Sequence, residues 1–416
     1  MLLHNTLLQN ITVIGAASVW HKKKVDIWFE NGRIKDIQTK ITLKKPNNIA
    51  VFDGQGKFIS ASFVDIGTHT ADPGFEQKDD LHSIARAAEA GGYGIVATAP
   101  NTLPVTNSKN EIAYIHNKTR HETVRFMPIA AVTTNAEGKK LNEIYDLRHA
   151  GAIAFSDGSH PIQNASVLLR ALEYVKPFDG LILNQPHDSS IVGGHGQMHE
   201  GYYSTLLGMK GAPALAETLM LQRDIELLKY SESRLLAHCI STAESVALVQ
   251  KAKQNKLRLY ASVAIANLVF EDGDLVEFDT NYKTFPHLRT QNDREALLQG
   301  IKNGTIDLVC SNHTPHEDDC KNLEFQYADY GIIALTTTFA MLCTYTDLSV
   351  TDIVAQLSDN PRRIFGLPQP VFAPAEAADY TVFDTDTTWE VNDSTLFSKS
   401  KNTPLYGKTV QGKVWL

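Results

Sequence analysis

Phe58-Ile59-Ser60-Ala61-Ser62-Phe63-Val64-Asp65-Ile66-Gly67-Thr68-His69 is a mostly apolar run that closes on polar residues, and it is the first of eight. The others cover residues 94–100, 125–132, 151–157, 180–186, 234–242, 257–265 and 305–313. Short, nearly continuous apolar runs are what strands buried on both faces require, as in a parallel sheet. Between them lie segments of helical period, at 79–90, 139–150, 212–230, 242–253 and 293–302, several entered through Asp, Ser or Thr caps. Eight such alternations in one chain favour a closed (β/α)8 barrel of the TIM type over a doubly wound sheet.

Outward from the barrel the pattern changes. Residues 1–57 alternate like strands, with turns at Glu30-Asn31-Gly32 and Asp53-Gly54, and residues 377–416 do the same, with turns at Asn402-Thr403-Pro404 and Gln411-Gly412. The expected organisation is an α/β chain with a (β/α)8 barrel over residues 58–369 and a composite, β-sandwich-like domain from 1–57 and 370–416. A length of 416 residues suits this, because such a barrel takes about 250.

Composition narrows the partners. Charged residues make up 21% of the chain and the net charge is −8, so no basic stripe points to nucleic acid or an anionic membrane. Cys239, Cys310, Cys320 and Cys343 show no paired spacing, which fits thiols in a reducing compartment and a cytoplasmic protein. The first residues lack a basic region and a cleavage site, and no run of 18 apolar residues occurs, so neither secretion nor a membrane span is expected. Gly193-Gly194-His195-Gly196 reads as a flexible loop, and Lys22-Lys23-Lys24 as a solvated turn.

Barrel chemistry gathers where the strands end. The first run continues His69-Thr70-Ala71-Asp72-Pro73-Gly74-Phe75-Glu76, and the second closes as Ala99-Pro100-Asn101-Thr102. Later runs close as Phe155-Ser156-Asp157-Gly158, Asn184-Gln185-Pro186-His187-Asp188, His238-Cys239-Ile240-Ser241-Thr242 and Ser311-Asn312-His313-Thr314-Pro315-His316. These segments, with Met198-His199-Glu200-Gly201, Asn281-Tyr282-Lys283, Leu288-Arg289 and Asp293-Arg294-Glu295, resemble dihydroorotases of the long class found in multifunctional pyrimidine enzymes. The resemblance runs in colinear order over roughly residues 50 to 385. It implies an amidohydrolase barrel and zinc-dependent, reversible ring closure of N-carbamoyl-aspartate to dihydroorotate.

That chemistry needs a metal to polarise the amide and generate hydroxide, and a carboxylate to shuttle the proton. The resemblance places the family's H-x-H pair and its substrate arginine on Gly67, His69 and Ala71. Its histidine after the fifth strand falls on Pro186, its sixth-strand histidine on Cys239, and the eighth-strand aspartate, both ligand and acid/base, on Asn312. An amide cannot take up and return a proton near neutral pH. His69, Asp157, Asn101, His316 and Arg289 keep the family identity.

His187 and His238 each stand one position from a lost ligand, as rescue ligands for a rearranged site. Within a strand a one-residue offset turns the side chain to the other face, so His238 is expected to face the helices unless a bulge intervenes. Cys239 reads more readily as a small core residue than as a zinc ligand.

The leading expectation is therefore a catalytically degenerate, dihydroorotase-like protein of pyrimidine biosynthesis with no metal cofactor. It would act as a structural or regulatory partner of aspartate transcarbamoylase or of an active dihydroorotase, in a complex or as a homodimer. One alternative is a zinc-dependent cyclic amidohydrolase, a dihydroorotase or a hydantoinase/dihydropyrimidinase, with a rearranged mononuclear site. The other is a metabolite sensor using an emptied pocket lined by His69, Asn101, Asp157, Cys239 and Asn312.

Overall fold

The computed structural model describes residues 4–41, 49–193 and 196–415, so Gly194 and His195 of the expected flexible loop lie outside the described residues. Eight parallel strands follow one another in chain order around a nearly closed barrel: Phe63–Thr68, Tyr93–Thr98, Arg125–Ala130, Ala154–Phe155, Ile182–Asn184, Leu235–Ala237, Leu259–Ala264 and Leu308–Cys310. This is the expected (β/α)8 class.

Alternation along the strands sorts the side chains into two cores. Val64, Ile66, Ile95, Ala97, Leu183, Leu236 and Leu308 fill the barrel interior. Phe63, Val96, Phe126, Leu235 and Val263 face outward onto the helices, among them Leu81–Ala90, Ala165–Val175, Leu215–Ser231, Ala243–Gln254 and Gln291–Lys302. The segment expected to be helical over 139–150 is helical only across Ile144–His149. Caps fall where the sequence offers them: Asp80, Asn164, Thr242 and Thr290 each accept a backbone N–H from the first turn of their helix.

The seam between the last and first strands is closed by a side chain rather than a ladder. Asp65 accepts the Ser311 N–H and the Ser311 hydroxyl, each at 2.7 Å, and the His69 N–H donates to the His313 carbonyl at 2.9 Å.

The run at 58–69 holds two strands. Phe58–Ala61 pairs with Tyr380–Glu390 and Thr6–Val13 in a separate seven-stranded sheet, and only Phe63–Thr68 enters the barrel. That sheet is built from both ends of the chain. Asn31 and Gly32, at φ +50° and +69°, make the two-residue turn between Lys24–Glu30 and Arg33–Gln38. Phe383 joins the sheet to the barrel by packing on Phe63 and Phe339. Among the described residues no helix is long and apolar enough to cross a membrane.

Candidate functional site at the barrel mouth

Gly67 interrupts the first barrel strand. Pairing with the second strand skips a residue between Ile66 and Thr68, and Gly67 takes φ +81°, a bulge that suits glycine. His69 beyond it lines a small cavity with Gly67, Ser156, Gln185, His238 and Asn312. The cavity measures about 20 Å³, room for about one water.

The expectation for His238 is corrected. Its ring faces the barrel mouth, and a β carbon on Gly67 would lie 2.6 Å from its Nε2. Leu236 points into the barrel, so alternation carries His238 inward as well. Cys239 then takes φ +54°, which breaks the alternation and leaves its thiol in the interior too. The Cys239 Sγ lies 3.5 Å from His238 Nε2 and 3.4 Å from the Sγ of Cys310. Burial works to raise the Cys239 thiol, but the hydrogen bond with Cys310 and the adjacent imidazole outweigh it and lower the pKa; the neighbouring thiol conversely raises that of His238. Burial and the His238 ring push His69 down to about 4, so it is neutral at pH 7.

Asp157 is engaged by Thr133. Its two carboxylate oxygens accept the Thr133 N–H at 2.9 Å and the Thr133 hydroxyl at 2.5 Å, and burial raises its pKa. Asn101 braces the loop after the fourth strand, donating to the Asp157 carbonyl at 3.0 Å and accepting the Ser159 N–H at 2.9 Å. Both ends of its amide are thereby used. The emptied pocket expected from the sequence is corrected accordingly: Asn101, Asp157 and Cys239 do not line the cavity, while His238 does.

Asn312, at φ +49°, donates from Nδ2 to the Phe285 carbonyl at 2.8 Å. Pro186 is buried and Ala71 nearly so, without a polar side chain to offer. His187 stands edge-on to Phe285 with ring centroids 4.9 Å apart, and burial takes it down to about 4. Among the described residues it joins no group of converging ligand atoms.

His316 donates from Nε2 to the Tyr330 carbonyl at 3.0 Å, and its Nδ1 faces the Lys78 ammonium at 3.1 Å. His316, Cys320 and Asp329 lie close enough together to hold a cation, but that ammonium already sits among them, 3.8 Å from Asp329. Arg289 is buried and donates to Ser241, His199 and the Ala212 carbonyl, with Glu217 at 3.8 Å. Glu217 in turn accepts the backbone N–H groups of Ser241 and Thr242. The pair ties the sixth-strand loop to the helix Leu215–Ser231.

Two residues that serve this geometry were not singled out in the sequence. Cys310 appears there only as an unpaired thiol, although it ends the eighth strand two positions after the inward-facing Leu308. Ser262, on the seventh strand, contacts His238 Nδ1 at 2.9 Å and accepts the Cys239 N–H at 2.8 Å.

Comparison with known proteins gives a consistent picture. A family model described as dihydro-orotase-like matches residues 56–245. The dihydroorotase of Syntrophus aciditrophicus is 37% identical over 395 residues, covering 94% of this chain and 92% of that one. The dihydroorotase of Caldicellulosiruptor saccharolyticus is 35% identical over 415 residues, covering 98% and 95%. Among solved structures, the L-hydantoinase (dihydropyrimidinase) of Arthrobacter aurescens superposes with a TM-score of 0.85 at 20% identity, covering 99% of this chain and 93% of that one. The dihydropyrimidinase of Brevibacillus agri gives 0.81 at 18%, covering 99% and 92%. At such identities the structures bear on the fold alone.

The dihydroorotase relatives overturn the expectation of no cofactor, because dihydroorotases are metal-dependent enzymes. At the positions where the sequence reading expects ligands, several side chains are not free to bind a metal. Gly67 and Pro186 offer no donor, Asn312 holds a carbonyl, and Asp157 is engaged with Thr133. Among the described residues, the donors that converge in the barrel are His238, Cys239 and Cys310.

Proposed function

We propose, from the premise that this chain belongs to the dihydroorotase family, that it serves pyrimidine biosynthesis as a dihydroorotase-like scaffold and does not itself turn over cyclic amides. Its role in this reading is structural or regulatory, as the partner of aspartate transcarbamoylase or of an active dihydroorotase.

One observation carries the reading. The mouth, where a substrate ring would have to sit beside an acid/base carboxylate, is a cavity of about 20 Å³ lined by His69, His238 and Asn312 among others. A six-membered cyclic amide needs several times the room of one water. The Asn312 amide that stands in the carboxylate's place cannot shuttle a proton. The ordered barrel, by contrast, is what a scaffold has to keep.

Co-purification with the transcarbamoylase of the same organism tests this directly. A stable complex on sizing at micromolar concentration is expected; persistent separation of the two proteins would count against the scaffold role.

A second reading, a cyclic amidohydrolase with a rearranged mononuclear centre, draws support from the inward turn of His238 beside two thiols. It requires the mouth to open enough to admit substrate.

A further inference from the structure

Three side chains from two distant parts of the sequence meet in the buried interior of the barrel. Cys239 and Cys310 are 71 residues apart in the chain, yet their sulfurs lie 3.4 Å apart. His238 Nε2 is 3.5 Å from the Cys239 Sγ, and all three ligand atoms fall within 4.8 Å of one another. His238 is at most one-tenth exposed and both thiols are essentially buried.

The spacing suits a metal centre. Zinc–sulfur bonds of ~2.3 Å and zinc–nitrogen bonds of ~2.0 Å at tetrahedral angles put S and S about 3.8 Å apart, and N and S about 3.5 Å apart. The imidazole already stands at that separation, and the thiols need spread by only a few tenths of an ångström. Two thiolates would neutralise a divalent cation, so the filled site buries no net charge.

The surroundings orient the ligands. With Nδ1–H donated to Ser262 Oγ, the His238 lone pair is left on Nε2, the atom that faces the thiols. The Cys239 N–H is held by the same hydroxyl. Gly67, with no β carbon, leaves the cavity of about 20 Å³ beside His238, enough for one water as a fourth ligand.

We propose that His238, Cys239 and Cys310 form a mononuclear thiolate–imidazole site for zinc or a similarly thiophilic divalent ion. Only Cys239 falls on a family ligand position, so the site is a different one in the same barrel. It goes beyond the scaffold reading and stands whether or not the protein turns over substrate.

The test is made on the full-length protein, fully reduced, loaded with zinc and freed of excess. About one equivalent of zinc is expected, with an X-ray absorption spectrum showing two sulfur scatterers. Cobalt substitution should give a thiolate-to-metal charge-transfer band. Cys310→Ala, checked for folding by circular dichroism, should bind zinc at least tenfold more weakly, while Cys343→Ala should bind like wild type. The proposal is overturned by a wild-type spectrum with only nitrogen and oxygen scatterers, by no binding at micromolar free zinc, or by full affinity in folded Cys310→Ala.

Discussion

The imidazole of His238 occupies the space above Gly67, its Nε2 2.6 Å from the point where a β carbon on Gly67 would sit. The two residues are coupled sterically across the barrel mouth, and each explains the other: a histidine can turn inward here because the first strand carries no side chain at the bulge.

Gly67→Ala therefore meets two penalties, the φ of +81° and the His238 ring. A loss of about 1–3 kcal/mol is expected in urea unfolding. In the double variant Gly67→Ala/His238→Ala the steric part should disappear and the backbone part remain, a coupling of about 1 kcal/mol. Strictly additive losses would show that the ring is not held where it is described.

Asn312→Asp places a carboxylate where the sequence reading expects the acid/base group. Its oxygen would replace the donor that now meets the Phe285 carbonyl, setting acceptor against acceptor. We expect about 1–3 kcal/mol of destabilisation and no gain of turnover, measured by thermal melt and by carbamoyl-aspartate cyclisation on the same preparation.

Arg289→Met should unseat the sixth-strand loop. It would leave Glu217 buried beside Ser241 without its cation, and breaking a buried pair from one side costs about 3–5 kcal/mol. Arg289→Lys should recover little of this, because one ammonium cannot reach Ser241, His199 and the Ala212 carbonyl together. Unfolding midpoints of the two variants check the point; a lysine variant as stable as wild type would contradict it.

Burial takes His187, His199 and His316 down to about 4. In the unfolded chain they titrate near 6.5. Between those values the unfolded state binds protons that the folded state refuses, so stability should be full above pH 6.5, fall as pH drops from 6.5 to about 4, and stop falling from this cause below that. Denaturant midpoints across this range give the profile. His187→Gln should flatten it, and an unchanged slope in that variant would show that His187 does not contribute.

Much of this molecule is legible in the sequence because burial dictates it. Apolar runs such as those containing Tyr93–Thr98 and Leu259–Ala264 are strands since both of their faces are covered. Of the residues that close those runs, His69 and Asn312 line the cavity at the barrel mouth, while Asp157 does not.

Backbone irregularity is what a period of two cannot show. The bulge at Gly67 and the positive φ of Cys239 decide which side chains reach the mouth, and neither leaves a mark in an alternation pattern. The meeting of Cys239 with Cys310 is likewise a fact of barrel geometry, invisible at a separation of 71 residues. Asn101 and Asp157, expected from the sequence as site residues, serve a loop and a threonine, which residue type alone does not distinguish from binding.

Under the proposed function the narrow mouth forbids cyclic-amide turnover, and carbamoyl-aspartate cyclisation and dihydroorotate hydrolysis by the zinc-loaded protein, beside an active dihydroorotase under the same conditions, test this most directly. Rates indistinguishable from the uncatalysed reaction are expected. Turnover that scales with protein concentration and is lost in His238→Ala would contradict the claim and establish a working centre built on that residue.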